Sequence, residues 1–262
     1  MAGYFLSGSQ PQNTLIFLFG AVFLLAAGTS VLNQVQESRL DALMQRTMHR
    51  PIPAGEISRP KALIISLLLI FAGTWLLSLN GWIPMSLGLL NVAFYNLIYT
   101  PLKTRSWLAI APGALVGAVP PLIGWTSAGL YAFHPNALFV AIFVFLWQIP
   151  HFWLLMIKYG KEYELAGFSS ISNVLNERQI KSVVFSWGVI TSVFLMLFPL
   201  FRFNLSPVVL CFMVVINLLF ITLFHRFLFL DQSSKTIRNA FILINSYAAL
   251  VFLILMINAF LG

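Results

Sequence analysis

Three oxygen-bearing side chains stand one helical turn apart at the end of the first long apolar run: Asn33, Glu37 and Asp41. In a helix that continues, positions i, i+4 and i+8 share one face over two turns. An amide and two carboxylates stacked in this way offer hard oxygen donors of the kind Mg²⁺ takes. Arg46 and Arg50 follow, four residues apart, just ahead of Pro51. Carboxylates beside guanidiniums suit a cation and an anion bound together. A metal diphosphate fits, because the metal takes phosphate and carboxylate oxygens while arginine grips other phosphate oxygens two at a time. The competing account is an ordinary solvated loop. Against it, Glu37 and Asp41 are two of only seven acidic residues in the chain. Asn33 also still lies in apolar sequence, where a polar group is costly.

A second polar segment runs Trp147-Gln148-Ile149-Pro150-His151-Phe152-Trp153 and reaches Lys158, Lys161, Glu162, Tyr163 and Glu164. Lys158 and Glu162 are four apart, so a second carboxylate-plus-cation site is expected on that helix face. Gln148, Pro150 and His151 interrupt an otherwise lipid-like run. His151 reads either as a core histidine bonded to a neighbouring helix or as a pocket residue, a base included. His134 and His225 are expected to be structural. A third polar stretch carries Lys103 and Arg105 after Asn91, Tyr95 and Asn96. The stretch from Ala109 to Trp125 is rich in Gly, Ala and Pro, which permits close helix packing or a ligand groove.

What positions these groups follows from composition. Of 262 residues, 60% are hydrophobic and 8% charged, against about 25% charged in a soluble domain. That excludes a disordered chain, a nucleic-acid-binding domain and a secreted disulfide scaffold. Cys211 is the single cysteine, lies in an apolar run and is expected to be packing. A helix needs about 20 apolar residues to cross a bilayer, and eight runs qualify: roughly 14–33, 62–79, 82–99, 107–125, 137–157, 182–201, 206–225 and 239–260. The fold class expected is all-α, a polytopic integral membrane helical bundle read as one domain over 1–262. Only Asn80-Gly81 separates the second and third runs, which predicts a tight helical hairpin.

Of the fifteen Lys and Arg, fourteen fall in the loops 34–61, 100–106, 158–181 and 226–238, and Arg202 alone falls on the other side. The positive-inside rule then accounts for the net charge of +8, places those four loops in the cytoplasm and sends both chain ends outside. All seven acidic residues share the cytoplasmic side. Residues 1–13 contain no Lys or Arg, so no cleavable signal is expected. A transporter would spread polar residues through the midplane, whereas these charges gather at one mouth.

The strings also resemble known ones. Asn33-Gln34 with Glu37 and Asp41, then Met44-Gln45-Arg46-Thr47 with Arg50-Pro51 and Pro53, resembles the first signature of the protoheme IX farnesyltransferase (haem O synthase) family. That family belongs to the UbiA superfamily of intramembrane prenyltransferases. Further strings match its later signatures in order: Tyr99-Thr100-Pro101-Leu102-Lys103 with Arg105, Gly117-Ala118 with Pro120 to Trp125, and Pro150-His151-Phe152-Trp153 with Lys161-Glu162-Tyr163. The resemblance is strong over roughly residues 2–175.

The resemblance implies that farnesyl diphosphate, held with Mg²⁺, ionises toward an allylic cation. A vinyl group of haem B then attacks, and water completes the product, haem O, for haem-copper oxidase biogenesis. Asn33, Glu37 and Asp41 would serve one metal and Glu162 another. Arg46, Arg50, Lys103 and Lys161 would clamp the diphosphate, with Arg105, Lys158 and Tyr163 nearby and His151 close to the haem. The implied partners are farnesyl diphosphate, haem B and the lipid bilayer, with handover to a haem A synthase or to oxidase assembly and no nucleic acid. The implied location is the bacterial cytoplasmic (inner) membrane. A UbiA-type enzyme acting on a quinone precursor or other lipid acceptor is the alternative; Glu162 and Glu164 in place of an Asp-rich second cluster favour haem. The family carries nine spans with a cytoplasmic N-terminus. Eight are expected here, and residues 2–8 resemble the tail of a first helix that is truncated or missing.

Overall fold

The computed structural model describes residues 2–8, 13–201, 206–231, 233 and 235–261. Among them, eight helices are long and apolar enough to cross a membrane: Thr14–Asp41, Arg59–Ser78, Trp82–Leu102, Trp107–Ser127, Pro135–Leu165, Glu177–Leu200, Pro207–Leu230 and Thr236–Asn258. These are numbered below as the first to eighth spans. A short helix, Ala2–Phe5, precedes them. The chain is an all-helical integral membrane protein. Arg202, the lone cation expected on the outer side, lies outside the described residues.

Each span sits where an apolar run predicts one, but several continue past it. The first run ends near residue 33 while its helix reaches Asp41, and the fifth ends near 157 while its helix reaches Leu165. Hydropathy stops at the hydrocarbon boundary, whereas intrahelical hydrogen bonding does not. The helices therefore carry their polar ends out of the bilayer as rigid extensions. The sixth span starts five residues before its apolar run for a readable reason. Asn176 and Gln179 form a capping box, each side chain bonding the other's backbone N–H.

The first span packs along the second, the third and fourth close on them, and the fifth is the pivot that touches the fourth, sixth and eighth. Close approach of the first two spans depends on glycine. A Cβ on Gly73 would stand 2.8 Å from Leu25 N, and one on Gly28 would stand 2.8 Å from Ile70 Cγ1. Ser66 Oγ adds a 2.9 Å bond to the Gly28 carbonyl. The hairpin between the second and third spans turns at Gly81, where φ is 115°, a conformation costly to residues with a Cβ. Large apolar side chains such as Phe19, Phe71, Trp75 and Leu219 point outward, as lipid contact requires. Cys211 is on the outer surface too.

One polar cluster at depth is paired across three spans. Ser192 donates to Asn217 Oδ1, and the Tyr247 hydroxyl donates to the same oxygen at 2.7 Å, which links the sixth, seventh and eighth spans. The third span contains a π-helical stretch, Phe94–Tyr99. Its looser turn leaves the Asn96 carbonyl free to accept from Gln36 Nε2 at 3.0 Å. That bond ties the extended end of the first span to the third.

Candidate active site

Asn33, Glu37 and Asp41 do share one face, because the first helix runs unbroken to Asp41. All three are buried and line a single cavity of about 260 Å³ at the charged end of the bundle. The Asn33 amide donates to Thr100 Oγ1 at 3.2 Å, so its carbonyl oxygen is the atom left for a cation. Glu37 Oε1 lies 2.5 Å from Lys103 Nζ. Asp41 Oδ2 accepts from Arg50 Nη1 at 2.8 Å.

The segment between the first two spans folds back over this cavity. Thr47 Oγ1 donates to the Asp41 carbonyl, Arg59 donates to Ser38 Oγ, and Met44 packs with Ala166 and Phe168. Arg46 thereby reaches the fifth span, where its Nη2 donates to the Tyr163 hydroxyl at 2.6 Å. Its guanidinium also lies 5.4 Å from the Tyr159 ring centroid and 5.6 Å from that of Tyr163, within cation–π range. The cavity so formed joins residues far apart in the chain. Asn33, Glu37, Asp41, Arg46, Arg50, Lys103 and Tyr163 all line it.

Aromatic rings supply the remaining wall. Tyr95, Tyr99, Trp107, Phe152 and Phe168 face the same space. Tyr99 fits because residue 113 is glycine; a Cβ there would sit 2.7 Å from the ring. Lys103 Nζ stands 5.0 Å from the Tyr99 centroid and 5.8 Å from that of Phe168. Burial holds the Lys103 ammonium below its ordinary pKa, and the Glu37 and Asp41 carboxylates oppose that shift without reversing it. Of these aromatic groups, Tyr95, Tyr99 and Phe152 fall within the polar and signature strings singled out in the sequence. Phe168 reaches the cavity from the loop after the fifth span, and Trp107 from the first turn of the fourth.

Five residues singled out from sequence do not line this cavity: Arg105, His151, Lys158, Lys161 and Glu162. Arg105, Lys158 and Lys161 are exposed. Lys158 does not pair with Glu162 across the helix turn and instead lies 4.8 Å from the Tyr159 ring centroid. Glu162 Oε2 is buried with no hydrogen-bond partner. Glu164 accepts from Ser172 Oγ at 2.5 Å and so braces the following loop. His151 Nδ1 stands 2.9 Å from Asn245 Oδ1, with the Phe241 ring 4.8 Å away, an interhelical contact with the eighth span. His134 caps the fifth span and stacks on Trp125. Gly117 accommodates the Gln148 side chain, since a Cβ there would overlap it at 1.7 Å.

Among the described residues no three His, Cys, Asp or Glu side chains cluster as a metal cage. The donor set does fit Mg²⁺, which uses one or two carboxylates and completes its shell with phosphate and water. Two carboxylates and one amide face the cavity here.

Residues 1–257 match the model of the UbiA prenyltransferase family. The chain belongs to that family. Within the UbiA family, a protoheme IX farnesyltransferase of Geobacter sulfurreducens is 42% identical over 167 residues, 64% of this chain and 62% of that protein. The chain thus spans less than two thirds of that relative's length in the match. A protoheme IX farnesyltransferase of Oleidesulfovibrio alaskensis is 33% identical over 77% of this chain and 71% of its own. The UbiA fold itself is matched by a UbiA homolog of Archaeoglobus fulgidus bound to GPP and Mg²⁺. Its TM-score is 0.71 at 11% identity, over 99% of this chain and 94% of that one.

Proposed function

We propose that the chain transfers a farnesyl group from farnesyl diphosphate to a vinyl group of haem B, with Mg²⁺, to give haem O. The observation that carries this reading is the convergence of Glu37, Asp41, Arg46, Arg50 and Lys103 on one partly apolar cavity. Two carboxylates against three cations leave a net charge of +1 there. One Mg²⁺ raises it to +3, the complement of a fully ionised isoprenyl diphosphate. The acceptor is read from relatives named protoheme IX farnesyltransferase.

Asn33, Glu37 and Asp41 would hold the ion, which when bound withdraws charge from the diphosphate as it leaves. Glu162 is proposed for a second ion, supported by its unpartnered buried oxygen beside the cavity-lining Tyr163. Arg46, Arg50 and Lys103 grip the phosphate oxygens, and fixed positive charge in a water-poor site stabilises the departing group. Tyr163 holds Arg46 in place. The C1–O bond to diphosphate breaks, the farnesyl C1 bonds to the vinyl carbon, and water adds to the resulting cation with loss of a proton. The rings of Tyr95 and Tyr99 shield the allylic cation from early capture by water. Arg105, Lys158 and Lys161 are proposed as outer charges that draw diphosphate toward the cavity, and His151 as a contact for the porphyrin. The charged mouth faces the cytoplasm of a bacterial inner membrane under the positive-inside rule, and haem O passes to a haem A synthase or to oxidase assembly.

The test is incubation of membranes with haem B, farnesyl diphosphate and Mg²⁺, followed by mass analysis for haem O. Product from the wild type and none from Asp41→Ala supports the reading. Prenylation of a quinone precursor in place of haem would replace the acceptor and keep the site.

A further inference from the structure

We propose that His151 is an axial ligand to the iron of haem B, through Nε2, and that Asn245 holds its ring in the tautomer that makes this possible. The inference deepens the porphyrin contact proposed above and rests on haem as the acceptor. His151 sits midway along the fifth span, Pro135–Leu165. A polar ring at that depth is costly and calls for a partner or a function.

The hydrogen bonds decide which ring nitrogen carries the proton. Asn245 Nδ2 donates to the Phe241 carbonyl, one turn back in the eighth span, at 2.6 Å. That bond orients the amide, so Oδ1 is the atom turned to His151 Nδ1, 2.9 Å away. An amide oxygen only accepts. Nδ1 therefore carries the hydrogen, and in the neutral ring Nε2 has a bare lone pair. Among the described residues Nε2 has no hydrogen-bond partner, and it is not sealed in the interior. Histidines that bind metals are arranged in this way. One ring nitrogen donates to an oxygen of the protein, which fixes the tautomer and aims the other nitrogen at the metal.

The surroundings suit a flat macrocycle. The rings of Trp147, Phe152 and Phe241 stand 5.2, 5.5 and 4.8 Å from the His151 ring, centroid to centroid. Trp147 Nε1 donates to the Ile244 carbonyl at 3.0 Å, so two ties hold the fifth and eighth spans together around the histidine. Phe152, the next residue, and Leu155, one turn further on, both line the charged cavity. Iron held on His151 thus brings an edge of the porphyrin toward the space where the farnesyl C1 is released. The histidine gives haem binding an iron-dependent part that a metal-free porphyrin lacks.

The experiment measures binding of haem B and of metal-free protoporphyrin IX to the purified full chain, with visible absorption and resonance Raman spectra of the haem complex. The wild type should show an iron–imidazole stretch in the ferrous state and bind haem at least about tenfold tighter than the metal-free ring. His151→Ala should lose the stretch and that advantage while holding protoporphyrin within about twofold of wild type, which separates ligation from folding. Added imidazole should restore a nitrogen-ligated spectrum to the variant. Asn245→Leu should weaken haem binding about tenfold and spare protoporphyrin, as loss of a metal ligand's outer partner does; if it weakens neither, Asn245 does not set the tautomer. Haem bound to His151→Ala with the wild-type spectrum, or both porphyrins losing affinity alike, overturns the proposal and leaves His151 an interhelical contact. Folded wild type that binds neither porphyrin overturns haem as the acceptor and this inference with it.

Discussion

Lys103 Nζ lies 2.5 Å from Glu37 Oε1, with both side chains largely buried. The contact joins the end of the third span to the extended end of the first. It places a cation and a carboxylate proposed to hold Mg²⁺ in one ion pair, which on that proposal an incoming metal diphosphate would rearrange.

Removing one partner leaves the other charge buried and alone. Lys103→Met should destabilise the protein by about 3 kcal/mol. The double variant Lys103→Met with Glu37→Met should recover most of that stability while binding no diphosphate. Thermal unfolding in detergent, run as a double-mutant cycle, measures the coupling; additive effects would mean the pair does not form.

Two opposite pH responses follow from the lowered Lys103 pKa. The folded protein releases this proton more readily than the unfolded chain, whose lysine keeps its ordinary value of 10.5. Across the alkaline window just below 10.5, the unfolded chain holds more protons, so this group's contribution to stability rises with pH. Diphosphate binding needs the charged ammonium and should weaken over the same window. Unfolding in chelator and diphosphate titration between pH 8 and about 10.5 should separate the two, and Lys103→Arg should flatten both.

Arg46 is held by a 2.6 Å bond to the Tyr163 hydroxyl. Tyr163→Phe keeps the ring beneath the guanidinium and removes only that bond. Hydrogen bonds to charged groups contribute about 1.5–3 kcal/mol, so farnesyl diphosphate affinity should drop roughly tenfold with the fold intact. Calorimetry on the variant would show the effect, and an unchanged affinity would remove Arg46 from the clamp.

Glu162 separates two roles by one substitution. As a ligand of a second ion, Glu162→Gln should raise the Mg²⁺ concentration needed for half-maximal diphosphate binding. As a merely buried carboxyl, it should leave that requirement unchanged, because its Oε2 has no partner to lose. A Mg²⁺ titration of wild type and variant decides between them.

Gly73 tests how the site is held. A Cβ there meets Leu25 N at 2.8 Å and Ala21 O at 2.9 Å, both backbone atoms. Gly73→Ala should push the first two spans apart, costing about 1–3 kcal/mol, and should weaken Mg²⁺-dependent binding through displaced Glu37 and Asp41. Circular dichroism melts paired with diphosphate binding would reveal both losses.

Sequence alone determined the number and order of the spans, because hydrocarbon thickness fixes the length of an apolar run. It also determined the Asn33–Glu37–Asp41 ladder, because helical periodicity fixes which neighbours share a face. Tertiary structure decided which distant groups complete the site. Glu162 and Tyr163 are adjacent in the chain, yet only Tyr163 reaches the cavity. Lys103 and Arg105 are two apart in the turn that follows the third span, and the path of that turn brings only Lys103 to the cavity. Consecutive helical residues such as Glu162 and Tyr163 point about 100° apart, so one of the two faces inward according to the helix's rotation. That rotation comes from packing against other spans, through contacts such as Gly73 on Leu25 and Tyr99 on Gly113, which no local spacing records.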